Sequence, residues 1–274
     1  PLELVGTFAE LTGKPKLPPK WAFGPWMSSN NWDSEREVDE QLARTAEHAI
    51  PSTVMVLEQW SDESSFYIFN DAGYETKSGS ERFAYDDFSF PAWGRWPDPR
   101  KLVERIHGQG IRVLLWQAPV MKFMDGIAHV QRDEDERYMV EQAYEVRHAD
   151  GSPYRIPDYE WFRGSLVPDF TNPDAAAWWL GKRQYLLEDI GIDGFKTDGG
   201  ECIYGSDLQF HDGRRGAEMR NEYPNSYIAA FQQFADRYVA GGAITFSRAG
   251  YTGAQAMPLH WAGDEKSTFE AFRA

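Results

Sequence analysis

The sequence predicts an α/β chain, a (β/α)8 TIM barrel of which about six of the eight strands are present. Two observations carry that prediction. Short apolar runs alternate with helix-length amphipathic stretches, the pattern of parallel strands joined by crossover helices. One run, Ile192 to Thr197, ends on Asp198, breaks at Gly199 and Gly200, and then offers Glu201. Glycines there let the backbone turn and leave room for a ligand, and an aspartate at the carboxyl end of a parallel strand is where barrel enzymes keep their chemistry. Taken alone, Asp-Gly is equally a solvated turn.

The elements follow in order. The first strand is expected at Trp21 to Trp26, after a Pro/Lys-rich linker from Lys14 to Lys20. Ser34 caps a helix running to His48, with Glu37 completing a capping box. Ser52 to Leu57 reads as the second strand and Pro99 to Gly108 as a helix, proline suiting its first turn and glycine its end. Ile111 to Trp116 is the third strand, Pro173 to Asp189 a helix ending near Gly191, and Ile192 to Thr197 the fourth strand. A helix over Asn225 to Val239 precedes the fifth strand, Ala243 to Phe246, and Met257 to Trp261 is the sixth.

Residues 1–18 form a lead-in and 19–274 the partial barrel, interrupted by insertions at about 62–98 and 122–170. Both insertions follow strands on their carboxyl side, where loops shape a pocket. The charged run Gln131 to Arg137 in the second reads as a solvated helix face. Closure hides the edges of a barrel sheet, so six strands alone leave two edges open, and the chain is expected to be a segment of a larger enzyme.

Composition narrows the partners. The 28 Lys and Arg against 43 Asp and Glu give a net charge of −15, which argues against nucleic acid and anionic membrane surfaces. No apolar run reaches the ~18 residues of a membrane span, and no leader pattern is present, which leaves localisation undecided between cytoplasm and secretion. Eleven tryptophans suit both core packing and stacking on flat ligands. The single cysteine, Cys202, excludes an internal disulfide; beside Glu201 it is a candidate nucleophile, although no histidine partner stands near it and a lone cysteine commonly just packs.

A second carboxylate lies in a similar setting. The run Ala243 to Phe246 leads into Ser247-Arg248-Ala249-Gly250, and Met257 to Trp261 leads through Gly263 to Asp264. Two carboxylates on neighbouring strand ends are what glycoside hydrolysis requires, one as nucleophile or base and one as proton donor. The segments KTDGGE (196–201), SRAG (247–250) and HWAGDE (260–265), in that order, resemble glycoside hydrolase family 31. PPKWAFGPWMS (18–28), VMVLEQW (54–60), GIRVLLWQAP (110–119) and PDFTNPDAAAWW (168–179) extend the resemblance over essentially the whole chain.

The resemblance implies a retaining α-glycoside hydrolase that cleaves terminal α-linked sugars of the α-glucoside type through a covalent glycosyl-enzyme. A transglycosylase using the same site for α-glucosyl or isomaltosyl transfer is the alternative. A non-catalytic carbohydrate-binding barrel and a metal-dependent barrel with Asp198 and Glu201 as ligands are further readings. The family needs no metal or organic cofactor. Its implied partners are an oligosaccharide or small glycoside and other domains of the same enzyme, with an oligomer left open.

The family's nucleophile falls on Asp198 and its acid/base on Asp264. Asp198 must attack as the anion, and Lys196, on the same strand face, is expected to pair with it directly. Asp264 must start protonated, which an apolar wall such as Trp261 favours. The implied substrate-binding residues are Glu58, Trp60, Trp116, Lys196, Glu201, Arg248 and Trp261, and Tyr154, Trp161 and Phe162 are candidates for contacting distal sugars. The chain departs from the family pattern at Glu58, where an aspartate is usual, and at Arg220, where a histidine usually precedes the asparagine.

Overall fold

The computed structural model describes residues 2–273. Its strands, in chain order, are β1 (Trp26–Ser29), β2 (Val54–Leu57), β3 (Gly73–Tyr74), β4 (Phe88–Ser89), β5 (Arg112–Gln117), β6 (Gly194–Thr197), β7 (Ile244–Ser247) and β8 (Leu259–His260). Its helices are α1 (Leu2–Thr12), α2 (Glu35–Glu47), α3 (Pro99–Gly108), α4 (Val130–Glu141), α5 (Pro173–Gly181), α6 (Gln184–Glu188), α7 (Gly216–Ala235) and α8 (Phe269–Arg273). Six strands form one parallel sheet in the order β1-β2-β5-β6-β7-β8, the partial barrel expected, while β3 and β4 pair antiparallel by themselves.

Side chains alternate between the two faces of a strand, and here both faces are covered. Val54, Val56, Leu114 and Ile244 pack inside the curl with Trp21, Trp26, Phe246 and Leu259. Met55, Leu57, Val113, Leu115 and Phe195 belong to the larger core with the helices. Gly194 has no alternative on β6, because a Cβ there would stand 1.9 Å from the carbonyl oxygen of Ile244 on the next strand. The same alternation places Glu58, Trp116, Lys196, Asp198 and Arg248 on the inside, above the apolar plug.

Several expectations are corrected. The first strand starts at Trp26, because Lys20–Phe23 forms a 3-10 turn and the Ala22 carbonyl accepts the Trp26 indole N–H at 3.0 Å. The lead-in contains α1, whose residues are all left unburied. Ser34 does cap α2, accepting from the Glu37 N–H, but Glu37 accepts from the Gln41 amide at 2.8 Å instead of closing a capping box. The helix expected over 173–189 is split into α5 and α6 at Lys182 and Arg183, both buried; Arg183 donates to Gln117 Oε1 at 2.6 Å. The helix expected from Asn225 begins at Gly216 and runs through Pro224, a buried proline tolerated inside it.

The charged run is a solvated face only in part, at Asp133 and Arg137. Gln131, Arg132 and Asp135 of α4 are buried, because the first insertion folds over them. Asp135 accepts from Lys182 Nζ at 2.9 Å, from the Tyr67 hydroxyl at 2.6 Å and from Gln131 Nε2 at 3.0 Å. Asp62 and His129 join the two insertions a second time, at 2.7 Å.

Asp135 and Lys182 are 2 % and 3 % exposed at their side chains, so each charge depends on the other. Removing one partner of such a pair strands the other charge in a low-dielectric interior. Lys182→Met is therefore expected to lower unfolding stability by about 3–5 kcal/mol in denaturant titrations, against at most ~1 kcal/mol for Lys101→Met at an exposed pair. A loss for Lys182→Met no larger than that for Lys101→Met would refute this account of the pair.

Candidate active site

Asp198 stands just beyond the carboxyl end of β6 and is bound from three directions. Trp116, on β5, donates its indole N–H to Oδ2 at 2.9 Å. The Gly199 N–H donates to Oδ1 at 2.7 Å, a contact made in the left-handed conformation of Gly199 (φ +73°) that glycine adopts without strain. Arg248, just past β7, brings Nη1 to 3.3 Å from Oδ1. Below it, the Tyr227 hydroxyl lies 3.4 Å from the Asp198 carbonyl oxygen and 3.5 Å from that of Gln117.

Arg248 is shared. Its Nη2 donates to Glu201 Oε2 at 2.9 Å while Nη1 faces Asp198. Partial burial works against its charge, yet Glu201, Asp198 and Asp264 together hold the guanidinium above its ordinary pKa. Its plane also lies over the Trp161 ring, 5.1 Å from the centroid.

The second ion pair is not the expected one. Lys196 donates to Glu58 Oε1 at 2.7 Å rather than pairing with Asp198, because Glu58 rises from β2 on the same inner face and is long enough to reach it. Ser28 from β1 donates to the same oxygen. The Lys196 ammonium sits 4.8 Å from the Trp261 ring centroid, and that ring packs on Phe246 at 4.8 Å.

These residues open onto one cavity of about 870 Å³, lined by Glu58, Trp116, Lys196, Asp198, Arg248 and Asp264. Asp264 lies in the loop after β8 and is exposed. Sequence reading missed Asn30, Gln59, Glu63, Phe66, Lys122, Phe123, Glu160, Arg163 and Ser165 in the same wall. Most belong to the two insertions, whose position after strands signalled a wall without saying which side chains build it. Phe66 and Phe162, also in the wall, hold left-handed backbones at φ +58° and +61°, a costly conformation for a bulky side chain. Phe66 packs edge-on against Trp116 at 5.3 Å and against Phe162 at 6.0 Å.

Other expected contacts fall elsewhere. Trp60 is fully buried and donates its indole N–H to the Trp116 carbonyl at 3.0 Å, so it supports the site from behind and cannot touch a ligand. Glu201 is turned away from the main cavity by its bond to Arg248 and lines smaller cavities beyond it. Trp261 meets the cavity through the Lys196 ammonium, and it packs on Phe246 instead of walling Asp264. Tyr154 is 1 % exposed, its hydroxyl donating to the Cys202 carbonyl at 2.8 Å, whereas Trp161 and Phe162 do line the cavity.

The family profile described as the glycosyl hydrolases family 31 TIM-barrel domain matches residues 15–274. The chain belongs to glycoside hydrolase family 31. It is 48% identical over 270 residues to an isomaltosyltransferase of Sporosarcina globispora, covering 98% of this chain and 24% of that protein. Among solved structures of the family it superposes on a cycloalternan-forming enzyme from Listeria monocytogenes in complex with pentasaccharide substrate, with TM-score 0.95, 46% identity and coverage of 99% of this chain and 25% of the other. It superposes likewise on a cycloalternan-degrading enzyme from Trueperella pyogenes in complex with covalent intermediate, with TM-score 0.93, 42% identity and coverage of 98% and 36%. The chain thus spans between about a quarter and a little over a third of the length of these relatives.

Cys202 takes no part in this site. It is buried, and burial together with the Glu201 charge pushes its thiol far above the ordinary range. A thiol held in that state resists alkylation. Iodoacetamide applied to the native enzyme at pH 8 is expected to leave Cys202 unmodified in peptide maps, and to label it fully once the chain is unfolded. Rapid native labelling would restore it as a candidate nucleophile.

Proposed function

We propose that this chain carries the catalytic centre of a retaining α-glycosidase or transglycosylase acting on oligosaccharides, with Asp198 as nucleophile and Asp264 as acid/base. The observation that carries the reading is a carboxylate, Asp198, oriented by an indole N–H, a backbone N–H and a guanidinium in a cavity that Asp264 also lines. Asp264 gives its proton to the departing glycosidic oxygen as the C–O bond breaks, and an Asp198 oxygen forms the ester to the anomeric carbon. Asp264, now the anion, then takes a proton from water or from a sugar hydroxyl, which attacks the anomeric carbon and frees Asp198.

Glu58, Lys196 and Arg248 supply charged partners for sugar hydroxyls, and Trp116, Trp161 and Phe162 supply apolar walls. Similarity to an isomaltosyltransferase and to enzymes that form and degrade cycloalternan favours an α-glucosyl or isomaltosyl unit, transferred to water or to another sugar. The metal-dependent reading is disfavoured by geometry: the Arg248 guanidinium stands between Asp198 and Glu201 and binds both, which repels a cation shared by them. A purely binding barrel has no use for an aspartate oriented on both oxygens.

Glu58→Ala removes the partner of a half-buried lysine and one charged hydroxyl contact together. On an aryl α-glucoside it is expected to lower kcat/KM about 10- to 150-fold, the equivalent of ~1.5–3 kcal/mol. Wild-type turnover on aryl α-glucoside, α-xyloside and α-galactoside alike would remove Glu58 from the sugar-binding set.

The two aspartates are separated by the stereochemistry of azide rescue. With an α-glucosyl fluoride, whose leaving group needs no acid, Asp264→Ala is expected to form the ester and stall, and azide then releases the α-glucosyl azide. Asp198→Ala forms no ester, so azide attacks the fluoride directly from the opposite face and gives the β-azide. The reverse pattern would exchange the roles, and unaffected turnover of a natural α-glucoside in both variants would move the active site elsewhere.

A further inference from the structure

We infer a second saccharide-binding site beyond Arg248, one that takes a further hexose unit of an oligosaccharide. The inference rests on the sugar-binding reading of the first cavity. Arg248 lines that cavity with one side and, with the other, a separate cavity of about 350 Å³, within the size range of small-ligand sites. Glu201, Tyr204, Arg220, Asn221, Pro224 and Tyr251 build the rest of its wall.

That wall mixes the chemistries a neutral sugar needs. The Arg220 guanidinium and the Asn221 amide are donors for vicinal hydroxyls, and the Glu201 carboxylate, half exposed despite its bond to Arg248, is an acceptor. Tyr251, 59% exposed, offers an aromatic surface to the C–H face of a pyranose. The Arg220 guanidinium lies over the Tyr204 ring, 6.0 Å from its centroid, which helps to hold the cation at the cavity wall. Pro224, inside α7, also lines the cavity.

Other ligand classes fit less well. Glu201 and a chain charge of −15 repel an anion despite the two arginines, and three charged side chains make the cavity costly for an apolar molecule. Because Arg248 lines both cavities, units of a single oligosaccharide are placed to occupy both, and the second site rewards chain length without touching the bond that breaks.

The test is equilibrium binding to the intact enzyme carrying Asp198→Ala, which prevents turnover. Glucose, maltotriose and isomaltotriose are titrated calorimetrically, with and without a further Arg220→Ala or Tyr251→Ala substitution. Arg220→Ala is expected to weaken at least one trisaccharide about ten-fold or more while leaving glucose unchanged, and Tyr251→Ala to act in the same direction. Both residues are exposed, so the fold is retained; should Arg220→Ala still fail to fold, Tyr251→Ala and Arg220→Gln carry the test. Unchanged trisaccharide binding in these variants, or an equal loss for glucose, overturns the second site. The catalytic reading fails separately, if the wild-type enzyme neither hydrolyses nor transfers from an aryl α-glucoside; a length-dependent binding loss supports the second site even then.

Discussion

The register between β6 and β7 governs the site. Thr197 lies level with Ser247 across the parallel ladder, so the next residue on each strand, Asp198 and Arg248, leave the sheet side by side. Their 3.3 Å contact is a product of backbone pairing before it is one of charge. On the other flank Trp116 lies level with Lys196, one step lower, and its indole reaches up to Asp198. A slip of one residue would turn Asp198 out of the cavity altogether. A buried hydroxyl bond guards against that slip, Thr197 Oγ1 to Ser247 Oγ at 2.6 Å. At the opposite end of β6, Asp193 accepts from the Val113 N–H at 2.9 Å and pairs with His107 and Arg112, pinning the strand from below. Two aspartates five positions apart thus hold one strand, the lower by anchoring it and the upper by presenting its carboxylate to the cavity.

How much of this was legible depended on whether the signal was local. Apolar runs ending on Asp198 and near Arg248 located the central strands and put Asp198 at a strand's carboxyl end, as the structure has it, because strand period and strand ends are written in consecutive residues. The pairing of Lys196 was not legible that way. Its two neighbours on the inner face, Asp198 along the strand and Glu58 two strands away, differ only in distances that the sheet sets. Trp60 was misplaced for the same reason. Two residues after Glu58, it looks like pocket lining in sequence, but the chain turns it under β5.

Helix boundaries failed where a residue's usual effect was overruled by packing. The helix expected over Asn225 to Val239 starts at Gly216 instead, because α7 runs through Pro224, which its surroundings bury, and the loss of one helix bond is absorbed. Lys182 and Arg183 read as part of an unbroken helix, yet two cations drawn into the interior by Asp135 and Gln117 bend the chain between α5 and α6. The run from Gln131 to Arg137 misled in the opposite sense, since charge suggested solvent where a partner on another segment had made burial affordable. Long-range polar pairing leaves no periodic trace in a single sequence.

Phe66 comes from the first insertion and Phe162 from the second, and from their strained backbones the two rings meet edge to face in the cavity wall. Asp62 to His129 and Tyr67 to Asp135 cross between the same two segments. The two insertions therefore form one structural unit, although β5 lies between them in the chain. A recombination that exchanged either alone would keep the sheet and Asp198 intact while leaving one aromatic ring without its counterpart and one carboxylate without its partner across the two segments. In this chain the wall is therefore exchanged without broken contacts only as a pair, with breakpoints outside both segments and the intervening β5 carried along.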